Sequence, residues 1–428
     1  MRYPETEMKP VVRPVKGTRD FYPEQMAFRQ WLYGKVREVS QRFGYQEYEG
    51  PMLETLDLYA AKSGEELVKE QSYVFTDRGG DQITLRPELT PTLARMVAQR
   101  QRQLPRPVRW WSFGPFWRYE RPQKGRVREF FQWNIDILGA ESVYADAEIV
   151  AILAEFFRSV GLTSQQVGVK VSDRKLMNAQ LQELGVEGDR VRAVYRLVDK
   201  LDKLPPGDWL AYGRESAGLT DPQLGKLKEV LADRSLWKRS PQLAEFFALA
   251  ADLGVSEFVE FDPAVIRGLD YYTDIVFEAW DRQGAFRAIF GGGRYANLLA
   301  DVGGEPMGGV GLAMGDVVIG LVLDQYGLKP PLRPSPTRAL VTVFSPELLR
   351  TSTRVAAELR AAAINTELYP EPARLDRQLK YANASGIPFA VIIGPDEAAA
   401  GVATVRNLVT GQQEKVPMAD LAGRLKQP

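Results

Sequence analysis

From Gln25 to Phe43 the apolar positions Phe28, Trp31, Leu32, Val36 and Val39 recur three and four residues apart, which puts them on one face of a helix. Gly44 is the stop signal behind it. Two short β-type runs follow, Tyr73 to Thr76 and Gln82 to Leu85, separated by the turn sequence Asp77-Arg78-Gly79-Gly80-Asp81. Pro91 to Gln101 reads as a helix. Val108 to Phe113, Phe116 to Glu120 and Glu129 to Leu138 are rich in aromatic and β-branched residues and read as strands. The charged segment Arg121 to Arg128 joins the last two as a hairpin loop, and Asp146 to Val160 is a further helix. Antiparallel strands covered by helices make an α+β core.

The pattern changes at about residue 173. From there to about 250 the chain has helical periodicity and many charges, broken at Leu204-Pro205-Pro206-Gly207, and reads as a helical insertion. Strand-like sequence returns at Tyr271 to Trp280 and at Phe286 to Phe290. Lys329-Pro330-Pro331-Leu332-Arg333-Pro334-Ser335-Pro336 is a stiff linker and the clearest boundary. Beyond it strand (Ala339 to Phe344), helix (Glu347 to Ala362), strand (Thr366 to Tyr369), helix (Leu375 to Ala384) and strand (Phe389 to Ile393) alternate, predicting a small α/β domain with a largely parallel sheet. The expected organisation is a first core segment over 1–172, an insertion over 173–258, a second core segment over 259–328, a linker over 329–336 and a C-terminal domain over 337–428.

Composition narrows the chemistry. Lys plus Arg and Asp plus Glu both number 55, so the net charge neither argues for nor against a nucleic-acid partner. The chain has no cysteine and no histidine, which removes disulfides, thiolate and imidazole metal sites, thiol nucleophiles and Ser-His-Asp catalysis. Chemistry must therefore run on arginine, lysine, carboxylates, tyrosine and backbone amides, with a carboxylate- or phosphate-bound Mg²⁺ as the metal such a chain can use. No apolar run is long enough to span a membrane and the N-terminus lacks the apolar stretch of a signal peptide, so a cytoplasmic protein is expected.

Four arginines and a lysine crowd the stretch from Arg118 through Glu120, Lys124, Arg126 and Arg128 to Phe130 and Gln132. Guanidinium forks suit phosphate oxygens, and displacement at phosphorus needs such clamps around the developing charge. Composition alone also allows a solvated basic hairpin. A second cluster, Arg267-Gly268-Leu269-Asp270-Tyr271-Tyr272-Thr273, sets a cation beside two phenols, and Gly291-Gly292-Gly293-Arg294-Tyr295 lets the backbone approach closely. Gln132 and Asp136 lie four residues apart on a strand, so both face one side.

These segments resemble a known family. Arg118-Tyr119-Glu120-Arg121-Pro122-Gln123-Lys124-Gly125-Arg126 is similar to motif 2 of class II aminoacyl-tRNA synthetases in the variant of the histidyl-tRNA synthetase family. Arg267 to Thr273 and Gly291 to Tyr295 resemble that family's two histidine blocks, Arg86-Pro87-Glu88-Leu89-Thr90 its Arg-Pro-Glu-Gly-Thr segment, and Gly50-Pro51 its motif 1. The resemblance runs from Val15 to the C-terminus. It implies a class II antiparallel catalytic core with a helical insertion and a C-terminal α/β anticodon-binding domain, carrying Asn365 to Tyr369 and Lys380-Tyr381-Ala382 in familiar places.

The activity implied is ligation of histidine to tRNA(His), with ATP as substrate, Mg²⁺ on its phosphates, and a homodimer. By the resemblance Arg118 holds the α-phosphate and the substrate carboxylate, Glu120 reads the adenine edge, Arg126 meets the γ-phosphate and Phe130 stacks on adenine. Arg267 stabilises the adenylation transition state and Tyr271 and Tyr272 line the amino-acid pocket. Glu88, Thr90 and Gln132 hold the α-ammonium, and Asp136 accepts the imidazole N–H.

One departure stands out. Val317 and Val318 occupy the place of the Glu-Arg pair that ends motif 3. Either another cation, such as Arg294 or Arg128, supplies the missing charge, or ATP binding is weakened and the chain is a non-catalytic paralogue such as a regulatory subunit of ATP phosphoribosyltransferase.

Overall fold

The computed structural model describes residues 11–60, 70–123, 125–266 and 271–427. The chain divides into two compact units, Met1–Asp20 with Trp31–Lys329, and Phe21–Gln30 with Pro330–Pro428.

In the first unit the strands run in chain order: β1 (Gln46–Glu47), β2 (Leu53–Thr55), β3 (Tyr73–Thr76), β4 (Gln82–Leu85), β5 (Val108–Trp117), β6 (Glu129–Leu138), β7 (Val167–Asp173), β8 (Val259–Phe261), β9 (Ile275–Asp281), β10 (Phe290–Tyr295) and β11 (Gly309–Gly315). Eight of them form one sheet in the order β1-β5-β6-β11-β10-β9-β7-β8. It is antiparallel through the centre and parallel at both ends, where β1 meets β5 and β7 meets β8. The order β2-β4-β3 gives a smaller antiparallel sheet.

Strand alternation in β6 assigns the two faces. Phe131, Trp133, Ile135 and Ile137 project to one side and are buried, and Trp133 packs 5.5 Å from Phe156 of the helix Val143–Ser159. Phe130, Gln132, Asn134 and Asp136 project to the other side, so the residues that could carry chemistry share a face because the apolar ones occupy its opposite. The helix Thr90–Arg100 lays Leu93, Ala94 and Val97 into a cluster with Tyr271, Tyr272, Tyr295 and Leu298.

Two expected strands, Val108 to Phe113 and Phe116 to Glu120, are a single strand, β5. The Gly114-Pro115 pair reads as a break, yet the strand runs through it. Gly114 leaves room for the buried Arg86 guanidinium, which a Cβ there would overlap, and Arg86 Nε donates to Pro115 O at 2.9 Å. The strand expected over Tyr271 to Trp280 begins only at Ile275, because Tyr271 and Tyr272 pack into the aromatic cluster instead. The strand expected over Phe286 to Phe290 begins at Phe290, and residues 282–289 form a loop with Gly284 at φ 66°.

Between β7 and β8 lie the helices Arg174–Glu183, Asp189–Val198, Pro206–Glu215, Asp221–Ala232 and Pro241–Asp252. Proline in the first turn starts three of them, at Pro206, Pro222 and Pro241, where the missing N–H costs nothing. Thr220 and Gln223 close a capping box, and the buried Trp209 donates to Leu197 O at 2.9 Å.

The second unit has five strands: β12 (Ala339–Val341), β13 (Thr366–Leu368), β14 (Phe389–Ile392), β15 (Val402–Asn407) and β16 (Gln413–Pro417). Their order is β13-β12-β14-β15-β16. The sheet is mixed rather than largely parallel, since β14–β15 and β15–β16 are antiparallel. The hairpin β15–β16 escapes the hydrophobic pattern because Gln413, Glu414 and Lys415 are exposed. Val341, Val355, Leu359, Phe389, Val391, Val405 and Leu421 fill the core beneath the helices Leu349–Ala361 and Leu421–Lys426.

Candidate active site

The hairpin between β5 and β6 is held at its base and its tip. At the base Arg118 N donates to Arg128 O at 2.9 Å, and at the tip Gln123 and Arg126 exchange backbone hydrogen bonds of 3.0 and 2.8 Å around Gly125, whose φ is 78°. Lys124 lies outside the described residues. Arg118 donates from Nε to Pro87 O at 3.0 Å, and its guanidinium sits 5.4 Å from the Phe130 ring centre. The outer nitrogens of the fork bond none of the described residues. Glu120 is buried and ion-paired with Arg126. Phe130 stacks on Phe116, its pairing partner across the hairpin, with ring centres 5.9 Å apart.

Arg118, Glu120, Arg126, Phe130 and Gln132 all line one cavity of about 760 Å³. That volume is in the range of small-molecule sites. Val317, Val318 and Leu321 supply an apolar wall, and Asp199, Asp202 and Lys203 from the insertion also reach it.

Further along the same face of β6 the amino-acid end is built from buried groups. Tyr271 OH donates to Glu88 Oε2 at 3.0 Å, and Tyr295 OH donates to Asp136 Oδ1 at 2.9 Å. Tyr271 lies with ring centres 4.8 Å from Tyr272 and 6.0 Å from Tyr295, so three phenols join the two carboxylates. Thr90, at the start of its helix, also bonds the Tyr271 side chain. Burial pushes the Asp136 carboxyl up to about 7, and the Tyr295 hydrogen bond opposes that rise. Burial likewise raises Tyr271 and Tyr295, with Glu88 and Asp136 adding to the effect respectively. Gly311 faces Asp136 across β11–β6, and a Cβ there would overlap Oδ1. The close approach is open to glycine alone.

The structure thus brings Arg118, Glu120, Arg126, Phe130 and Gln132 around one cavity and clusters Glu88, Thr90, Tyr271, Tyr272 and Asp136. Arg267 lies outside the described residues. Two further expectations are corrected. Arg294 is not a spare cation: it is 6% exposed, contacts both Asp146 carboxylate oxygens through Nε at 3.1 and 3.0 Å, and donates to Ala140 O and Ser142 O at 2.9 Å each. Arg128 points out of the cavity, onto the Tyr119 ring at 4.0 Å and the Glu120 carbonyl at 3.1 Å. Sequence reasoning named Tyr295 within its glycine block but gave it no role, and missed Arg287, which no periodicity marks.

Comparison with known proteins agrees with this geometry. A family model described as histidyl-tRNA synthetase matches residues 17–316, and one described as anticodon binding domain matches residues 338–427. A histidine–tRNA ligase of Arabidopsis thaliana, chloroplastic/mitochondrial, is 39% identical over 96% of this chain and 86% of its own length. One from Opitutus terrae is 39% identical over 94% of this chain and 95% of its own. The crystal structure of histidyl-tRNA synthetase from a Nostoc species superposes with a TM-score of 0.83 at 26% identity, covering 98% of this chain and all (100%) of that one. An antiparallel core with an arginine-bearing hairpin, joined to an anticodon-binding domain, defines a class II aminoacyl-tRNA synthetase. Within that class the chain belongs to the histidyl-tRNA synthetase family. The regulatory-subunit alternative is not favoured, because the full-length relatives are ligases and the match continues through the anticodon-binding domain.

Proposed function

We propose that this chain is a histidine–tRNA ligase, activating histidine with ATP and then esterifying it to the 3′-terminal ribose of tRNA(His), in the cytoplasm. The observation that carries the reading is continuity along one face of β6. Phe130 and Gln132 line the arginine-walled cavity, and Asp136 continues the same face into the buried tyrosine–carboxylate cluster.

In activation a carboxylate oxygen of histidine bonds to the α-phosphorus, and the bond to the β-phosphate oxygen breaks, releasing pyrophosphate. Arg118 bridges the α-phosphate and the attacking carboxylate, fixing their approach and neutralising the charge that builds between them. Arg126 leaves Glu120 for the γ-phosphate, which frees the Glu120 carboxylate for the adenine amino edge. Phe130 stacks on the base. Glu88, Thr90 and Gln132 hold the α-ammonium, Asp136 accepts the imidazole N–H, and Tyr271 and Tyr272 close the pocket around the ring. Arg267 provides a second cation at the α-phosphate.

Mg²⁺ would arrive with ATP and neutralise its outer phosphates; Glu278, a cavity-lining carboxylate, is an oxygen donor of the kind it takes. In transfer the ribose hydroxyl attacks the activated carbonyl and AMP leaves. In the second unit Phe344 and Tyr381 are 47% and 42% exposed, aromatic residues suited to stacking with anticodon bases. Exposed Met52, Leu53, Val74 and Phe75 around the small sheet support a homodimer contact there.

Pyrophosphate exchange tests the reading. Purified chain with ATP and labelled pyrophosphate should form labelled ATP when L-histidine is present and not with the other amino acids. Exchange independent of histidine would refute it.

A further inference from the structure

The wall formed by Val317, Val318 and Leu321 offers a nucleotide no charge. The hairpin tip lies over part of it, since a Cβ built on Gly125 would come 3.8 Å from Val318 Cγ2. ATP carries several negative charges on its outer phosphates, and the wall that meets them needs a guanidinium or an ammonium. Most basic side chains lining the cavity are already engaged. Arg126 pairs with Glu120, Lys170 with Asp262 at 3.0 Å, and Lys203 with Asp199 at 2.6 Å. Arg118 is tied to Pro87 O and lies over Phe130.

Arg287 is different. It stands in the loop between β9 and β10, lines the same cavity as Arg118 and Arg126, and makes no hydrogen bond or ion pair with any described residue. Its surroundings are unfavourable to it. Although the residue as a whole is exposed, partial desolvation of its guanidinium at the cavity, and next the Arg126 guanidinium, lower its pKa, with Arg118 adding to the effect. Glu120 and Asp199, the acids that oppose this, are each held by another cation. The Arg126 and Arg118 guanidiniums thus act on Arg287 as like charges, and arginine does not relieve this by losing a proton. A polyanion in the space removes the repulsion.

We propose that Arg287 binds the β- and γ-phosphates of ATP beside Arg126, doing from the β9–β10 loop what the apolar wall at Val317 and Val318 cannot. It rests on the ATP-site reading above. As the bond from the α-phosphorus to the bridging oxygen breaks, the electron pair passes to the leaving pyrophosphate, and Arg287 stabilises the charge that gathers there. Arg287 is thus a catalytic residue that touches the leaving group and not the amino acid.

The test uses the full chain with Arg287→Ala, Arg287→Lys and Arg118→Ala. Arg287 is exposed and unbonded to the described residues, so its truncation should leave the melting curve unchanged. In histidine-dependent exchange Arg287→Ala should raise KM for ATP about tenfold and lower kcat roughly a hundredfold, while KM for histidine stays within about twofold. Arg287→Lys should recover part of the loss. By calorimetric titration without turnover, Arg287→Ala should weaken ATP and leave AMP unchanged. If Arg287→Ala changes exchange by less than about twofold while Arg118→Ala abolishes it, the ATP site stands and the role of Arg287 is overturned. Equal weakening of ATP and AMP overturns it too. If neither arginine matters, the site reading and this inference fail together.

Discussion

The two ends of the site are built on opposite principles. At the nucleotide end Arg118 and Arg126 are half-buried on a hairpin loop and Arg287 is exposed on another loop, all around an open cavity. At the amino-acid end Glu88, Asp136, Tyr271, Tyr272 and Tyr295 are each less than a tenth exposed and hydrogen-bonded or packed to one another on strands and their flanks. The first end gathers cations around a space that a polyanion fits. The second presents acids whose geometry is fixed before any ligand arrives, as a site that must recognise one side chain requires. An arginine consequently means different things at the two ends. Arg294 is a structural cation closed on Asp146, whereas the outer part of the Arg118 fork bonds none of the described residues.

The largest break in that contrast should come from Arg294→Ala. It leaves Asp146 buried without its cation, and removing one partner of such a pair costs about 3–5 kcal/mol. Thermal melts should show a large fall in Tm. Arg118→Ala should do the reverse: Tm nearly unchanged, and histidine-dependent exchange lower by roughly a hundred- to a thousandfold. Gly311→Ala sharpens the amino-acid end. Its methyl group must displace Asp136, so KM for histidine should rise about tenfold, with a stability loss of about 1–3 kcal/mol from overpacking.

A smaller effect is expected from pH. Folding raises Asp136 from the ordinary 3.8 to about 7, so between those values the native state holds a proton that the unfolded chain has lost. Stability from this group therefore falls as pH rises through that window and levels off above it. The chain has no histidine to mask the effect, although Asp146, raised to about 6 by burial against the pull of Arg294, adds a component of the same sign. Melts of the ligand-free protein from pH 5 to 8 should lose part of their slope in Asp136→Asn. The smallest effect belongs to Arg128→Ala, which should change exchange by less than about threefold because its side chain lies on Tyr119 outside the cavity.

The hairpin and its cations were legible in the sequence because charge density and strand alternation both mark them. Gln132 and Asp136 were placed on one face by period two alone. The insertion's helices and the alternation after the proline-rich linker were legible for the same reason, since periodic burial writes itself into the chain. Other features were not. The antiparallel hairpin β15–β16 has a polar edge strand with no alternation to read. The buried partner of Arg294 is Asp146, 148 residues away, and no local pattern announces such a pairing. Arg287 is one arginine in a loop, informative only once folding sets it beside Arg118 and Arg126. The continuous β5 was hidden by Gly114 and Pro115, residues kept there by the demands of Arg86 rather than of the strand.

The most direct test of the account is charging itself. Purified chain, ATP, Mg²⁺ and labelled L-histidine should place label on tRNA(His) in an ester that mild base releases, with no label on other tRNAs and none when Asp136→Asn replaces the parent. Labelled tRNA lacking histidine specificity, or histidine binding with no transfer to tRNA under saturating ATP, would contradict it.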